Sequence, residues 1–201
     1  MASKVEICNL ALSHIGVGVE ITDLDTERSQ EAIACRRFYE ICKDSTLRDA
    51  DWSFSTDFVT LQLIETEPTT EWEYSYRYPV DCIFFRRILS GTRVDSKQTR
   101  IPFKFASSTS GQIILTDEAD AVAEITTKID DVNLYPSDFK LALSYRLAMM
   151  LAPRLSRGDA SKMMADIARL YLVEVSKANA SSGNEESDGD FLDAEIIRAR
   201  E

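Results

Sequence analysis

What this sequence of 201 residues lacks is chemistry-bearing motifs. It has a single histidine, His14. One histidine cannot anchor a two-histidine metal site, and any nucleophilic triad would have to use it. No GxGxxG, GxxxxGK(S/T), GxSxG or HExxH pattern occurs, so no cofactor cradle and no metal site is legible. No run of eighteen apolar residues is present, and the chain does not open on a basic then apolar signal pattern. The expectation is a soluble protein that is not secreted by the general route. Only 23 Lys and Arg stand against 34 Asp and Glu, a net charge of -11, which disfavours a surface that grips nucleic acid. The four cysteines (Cys8, Cys35, Cys42, Cys82) form no CxxC pair. Cys35 and Cys42, seven apart, would sit about 10 Å apart along a helix axis, too far to bridge each other. They read as reduced core residues.

With few Gly and Pro and 44% hydrophobic residues, the body should be globular around one sizeable core. Its organising stretch is Thr26 to Phe54. Thr26 or Asp25 is expected to cap a helix, with Glu27 in its first turn. Ala34, Cys35, Phe38, Ile41, Cys42 and Ser45 form its stripe, and it runs into an aromatic hinge, Asp51-Trp52-Ser53-Phe54. A helix precedes it from Ser3 to Ile15, stopped by Gly16, with His14 near its end in a solvated or dipole-stabilised place.

The period changes after Phe54. Strands are expected at Phe58–Ile64, Glu71–Tyr78, Cys82–Leu89, Pro102–Ala106, Gln112–Leu115 and Ala121–Thr127, with a turn at Glu67-Pro68-Thr69-Thr70. Trp72, Tyr74, Tyr76 and Tyr78 share one parity and hence one face. That row is able to stack bases, but Glu71, Glu73 and Asp81 offset Arg77, Arg86 and Arg87, so core or interface packing is the better reading. A helix resumes at Pro136 and should kink or end at Pro153. A second follows from Ala160 to Ala178, after Gly158 and a capping Asp159, and packs antiparallel to the first.

The fold class expected is α+β, a bundle of about four helices with a β-rich insertion in its middle. Residues 1–179 form one domain, helical over 1–57 and 133–179 and β-rich over 58–132. Residues 180–201 form a flexible acidic linker ending in a short amphipathic segment: Phe191, Leu192, Ile196 and Ile197 beside Arg198 and Arg200. An apolar motif on a polar tether reads as a docking peptide; the alternative is that it folds back on its own core. No catalytic residue stands out. Among 34 acids some pair must lie near an aromatic, so Asp44, Asp49 and Asp51 beside Trp52 make a carboxylate pair arithmetically available and nothing more.

The order LALSHIG, ITDL, AIACRRFYEICKDSTLRDADWSFS, YSYRYPVDCIFFRRI and YPSDFKLALSYRLAMMLA, then an acidic linker and a terminal amphipathic segment, resembles the head-to-tail adaptor (connector) family of tailed bacteriophages, tail tubular protein A type. The resemblance covers nearly the whole chain and includes no catalytic motif. It implies a structural virion protein, made in the host cytoplasm, that forms a ring of twelve copies under the portal, extends the DNA channel and carries the tail. It implies these partners: the portal protein, docked by Phe191, Leu192, Ile196, Ile197, Arg198 and Arg200; a tail nozzle or tube protein and neighbouring copies, met by the β-rich part with Trp72, Tyr74, Tyr76 and Tyr78 as interface candidates; and double-stranded DNA that passes without specific binding. It implies no enzyme activity, no cofactor and no membrane. An acidic channel wall that repels phosphate fits such a role. The readings held against it are a cell-wall hydrolase using a carboxylate pair and a soluble protein-interaction module.

Overall fold

The structure, a computed structural model, describes residues 3–64, 71–91, 99–109, 111–156 and 158–185, with backbone alone from 181 to 185. The protein is mixed α and β, with four helices and two small antiparallel sheets among the described residues. In chain order, helices α1 (Lys4–His14) and α2 (Gln30–Asp49) come first. Strands β1 (Thr56–Thr60), β2 (Tyr74–Arg77), β3 (Cys82–Ile88), β4 (Phe103–Ser108), β5 (Gly111–Thr116) and β6 (Val122–Thr127) follow. Helices α3 (Ser137–Leu155) and α4 (Ala160–Glu185) come last.

Local chemistry sets the helix ends. Ser3 caps α1, its Oγ accepting the Glu6 N–H at 3.2 Å. At the other end Gly16 adopts φ +73°, and the Gly16 and Val17 N–H groups return to the Ser13 and Leu12 carbonyls, a Schellman closure that needs the glycine. Helix α2 starts later than expected, at Gln30 with Ser29 as cap, not at Thr26 or Asp25. Asp23 explains the difference. Its carboxylate accepts the Asp25 N–H at 2.8 Å and the Thr26 hydroxyl, folding 23–26 into a separate turn that competes with the helix. Glu27 then belongs to that turn, accepting the Thr22 N–H at 3.0 Å and the Ser29 hydroxyl at 2.6 Å.

Pro153 does not itself end α3: it lies inside the last turn, where few backbone bonds remain to be lost, and the helix closes two residues later at Leu155. Asp159 caps α4 as expected, accepting from Ser161 and Lys162 N–H at 3.1 and 3.2 Å. The linker expected from residue 180 begins instead as helix, since α4 runs on through Glu185. Residues 186–201, including the six docking residues Phe191, Leu192, Ile196, Ile197, Arg198 and Arg200, lie outside the described residues. So do residues 67–70, where a turn was expected.

The helices share one core. Helix α3 packs on α1, α2 and α4 and buries Phe139, Ala142, Leu143, Leu147, Ala148, Leu151 and Ala152. Arg146 of α3 meets Tyr171 of α4 across a four-residue turn, so the two run antiparallel. Cys8, Cys35 and Cys42 are buried free thiols in this core. Ile41, placed in the apolar stripe by the sequence, is 63% exposed, because the buried positions of α2 are Ala32, Ala34, Cys35, Tyr39, Cys42, Lys43, Thr46 and Leu47.

The strands make a second core. One sheet has the order β1-β6-β3 and the other β2-β5-β4. Their facing sides bury Leu61, Tyr76, Phe85, Ile88, Ile114, Ala123 and Ile125. Phe85 lies 4.8 Å from Phe103 and 5.5 Å from Phe105, ring to ring, so aromatic packing closes the gap between the sheets.

Candidate functional site

The tyrosines proposed as an interface row are divided by the fold. Strand β2 is only Tyr74–Arg77, so Trp72 precedes it and Tyr78 follows it. Tyr76 is 1% exposed; its hydroxyl donates to the Glu118 carbonyl at 2.8 Å and accepts the Ala121 N–H. Tyr78 turns its ring to Phe105 at 5.7 Å and its hydroxyl accepts from Cys82 Sγ at 3.3 Å. Burial pushes the Tyr78 phenol up, and the Cys82 contact adds to it. Trp72, Tyr74 and Tyr78 are half-buried and keep surface for a partner, while Tyr76 is core. Parity placed Tyr74 and Tyr76 correctly in a strand; it could not show that a second sheet covers that face.

Three charged assemblies join the elements. At the foot of α2, Arg146 donates to Asp49 Oδ2 at 2.9 Å and to Ser45 Oγ at 2.5 Å, and stacks over Tyr171, whose hydroxyl donates to the same Asp49 oxygen at 2.7 Å. Burial, then the Asp49 contact, raises the Tyr171 phenol. At the seam between the two cores, Arg86 of β3 donates to the Ala50 carbonyl at 2.5 Å and Thr126 Oγ1 at 2.9 Å, and lies 3.4 Å from Asp51. Phe84 is flanked by the Arg48 and Arg86 guanidinium groups at 5.3 and 5.0 Å. Asp49 and Asp51, two members of the arithmetically possible catalytic set, are thus engaged by arginines that hold elements together. The third, Asp44, has one oxygen buried without a partner among the described residues.

The third assembly was not foreseen in the sequence. Lys43, 0% exposed, donates to Asp130 Oδ1 on the link after β6 and lies 2.6 Å from Glu40 Oε2. Glu40 also receives Lys4 of α1 at 3.0 Å. Burial opposes the Glu40 charge, but the bonds from Lys43 and Lys4 prevail and hold its carboxyl below the usual range. Lys43 lowers Asp130 likewise. Burial pushes the neighbouring Tyr135 phenol up to about 12. In sequence, the cue is faint: a lysine one position after Cys42, inside a stripe of small and apolar residues.

His14 is not the solvated residue the helix end suggested. Its ring stacks on Tyr145 at 4.3 Å and Nε2 donates to Ser144 Oγ at 3.0 Å, the Ser144 hydroxyl being spent on the Leu141 carbonyl. Burial lowers its pKa from the ordinary value of 6.5. The unfolded chain therefore takes up this proton first, so the stability His14 contributes is full above pH 6.5 and declines as pH falls toward its folded pKa. The Glu40 and Asp130 carboxylates act lower, their contribution present above the ordinary carboxylate pKa and lost as pH falls through the folded ones. Urea midpoints between pH 8 and 3 should thus fall in two stages. His14→Gln should remove the upper stage and leave the lower.

Two hollows border these elements. One of about 410 Å³ lies between Ile15–Val19 and the α3–α4 turn, with Leu155, Ser156 and Met163 in its wall. The other, about 510 Å³, lies between β1 and the link from β2 to β3, with Arg77, Tyr78, Pro79, Val80 and Asp81 on one side. Val80 at its rim is 94% exposed. Among the described residues no cluster of His, Cys, Asp and Glu is arranged to hold a metal ion, and no helix is long and apolar enough to cross a membrane. No protein-family model matches the chain, and no curated protein matches it.

Proposed function

We propose that the protein is a head-to-tail adaptor of a tailed bacteriophage, a structural virion component. Rings of it sit beneath the portal, extend the DNA channel and receive the tail. The observation that supports this reading most is the order of parts along the chain: helices around α3, a β-rich insertion between α2 and α3, then a terminal segment that carries its own apolar residues. In this reading the helices are the bundle of such an adaptor. The β-rich part, with the half-buried Trp72 and Tyr74, faces the ring and tail, and Phe191, Leu192, Ile196, Ile197, Arg198 and Arg200 dock to the portal. The net charge of -11 supports passage of DNA past the ring without adhesion.

The exposed apolar residues Leu170, Leu172 and Val173 on α4 support assembly with further copies, because a helix apolar on more than one side gains by burying the second side. Sedimentation velocity of the purified protein, alone and mixed with portal rings from the same genome, tests the reading. The expected result is a small species that shifts onto the portal ring at about one copy per portal subunit, as symmetric docking requires. A chain that never shifts sinks the proposal. A second test cuts the chain after Glu185, the end of α4, and expects a folded body with no portal binding.

A further inference from the structure

Helix α4 turns Ile167, Tyr171, Val175 and Ala178 into the core. A second stripe runs along the same helix at steps of four, three and four residues: Asp166, Leu170, Val173 and Lys177. At about 100° per residue these four directions fall within about 60° of one another, roughly 130° round the helix from Tyr171. All four are exposed, Leu170 by 49% and Val173 by 48%. The stripe is closed by charge at both ends. Asp166 lies 3.6 Å from Arg169, and Lys177 lies 2.7 Å from Glu174, so each end residue is held over its own turn by an i,i+3 neighbour.

Read along the helix, the stripe runs acid, apolar, apolar, base, and that order decides what fits on it. An identical helix laid antiparallel, about a twofold axis between residues 171 and 172, sets Leu170 against Val173 of the second copy and Asp166 against Lys177 of the second copy. Each contact then occurs twice, as an isologous interface requires. An identical helix laid parallel sets Asp166 against Asp166 and Lys177 against Lys177, like charge on like. A slip of one turn in the antiparallel pair sets Leu170 against Lys177 or Val173 against Asp166, and both kinds of contact are lost. One direction and one register therefore satisfy the whole stripe.

We propose that this face of α4 is a self-association surface, and that two copies of the chain pair through it antiparallel, with Leu170 and Val173 at the centre and Asp166 and Lys177 at the ends. The apolar residues supply the affinity, and the charges fix direction and register. Two apolar residues from each copy make a contact well below the about 800 Å² per partner of a standard stable interface, so the pair is transient and depends on concentration. The assignment does not rest on the adaptor reading. A twofold contact closes on itself and cannot propagate round a ring, so in an adaptor the pair would part before the ring forms. Leu172, roughly 160° round the helix from Leu170, stays outside the pair.

Sedimentation velocity of the full chain over a dilution series tests it, with four variants whose changes all lie on exposed positions. The native protein should pass from monomer to dimer, and no further, as concentration rises. The double variant Leu170→Glu, Val173→Glu should weaken the pair about tenfold or more. Asp166→Lys alone and Lys177→Asp alone should do the same, because each places two like pairs across the axis. The combination Asp166→Lys, Lys177→Asp restores both pairs with their signs exchanged and should return the dimer to within about threefold of the native strength. A native chain that stays monomeric throughout overturns the proposal and leaves the face to another occupant. So does a dimer that the combined exchange fails to restore, or growth past the dimer, which would mark a head-to-tail contact. A double glutamate variant that no longer pairs but still shifts onto portal rings upholds both readings, and one that pairs as the native protein does and shifts onto the rings defeats this one alone.

Discussion

Trp52→Ala should lower the free energy of unfolding by about 4 kcal/mol, read as a lower urea midpoint at unchanged slope. Trp52 is 1% exposed; its ring meets Phe139 edge-on at 5.0 Å and Phe54 at 6.2 Å, and Nε1 donates to the Thr46 carbonyl at 2.8 Å. The residue therefore joins the last turn of α2, the first turn of α3 and the entrance to β1. Removing it empties a cavity too well framed to collapse and orphans a buried carbonyl. Trp52→Phe separates the two costs, because it refills most of the space and still strands Thr46; about 1–3 kcal/mol is expected. A loss of this size takes much of the 5–15 kcal/mol typical of a domain, so the alanine variant should be soluble only in the cold or in part. An alanine variant within 1 kcal/mol of the native protein would show that the aromatic hinge does not hold the two halves.

The second large effect is an asymmetry at Lys43. Glu40→Gln combined with Asp130→Asn leaves a fully buried ammonium without an anion and should cost about 3 kcal/mol. Lys43→Met should cost less than about 1 kcal/mol, because both carboxylates are partly exposed and rehydrate when the lysine is gone. The ordering matters more than either value, and chemical denaturation of the two variants side by side measures it. A methionine variant weaker than the double amide would mean that the ion pair itself, and not the avoidance of a stranded charge, holds α2 to the segment after β6.

Much of the helical part was legible because its signals are local. Ser3, Gly16 and Asp159 end helices by hydrogen bonds within their own turns, and the apolar spacing of Phe139 to Leu151 needs no knowledge of a partner. The strands were legible as strands for the same reason, and five of the six lie within two residues of the expected starts. What the sequence could not reveal is pairing. Nothing near Thr56 says that it will lie beside Thr126, or that Tyr76 will be covered by a second sheet. The Asp23 turn was missed because two capping candidates compete within a few residues and their energies differ by about 1 kcal/mol or less. Of the candidate site, the composition of 191–200 was visible in the sequence. The edge position of β1 was not, since it depends on which distant strand pairs with Thr56–Thr60.

The pairing of β1 with β6 has a bearing on how the chain is made. Thr60 waits for Val122, and a ribosome adding roughly 5–20 residues per second takes several seconds to deliver it. Through that interval α1 and α2 are already in existence, whereas β1 lacks β6, its partner strand, and carries Phe58 and Val59 in the open. Sequence-distant closure of this kind is slow in itself. A nascent chain stalled between β1 and β6 should therefore be the species that binds chaperones or self-associates, and the yield of native protein should depend on translation speed across residues 61–122 more than anywhere else.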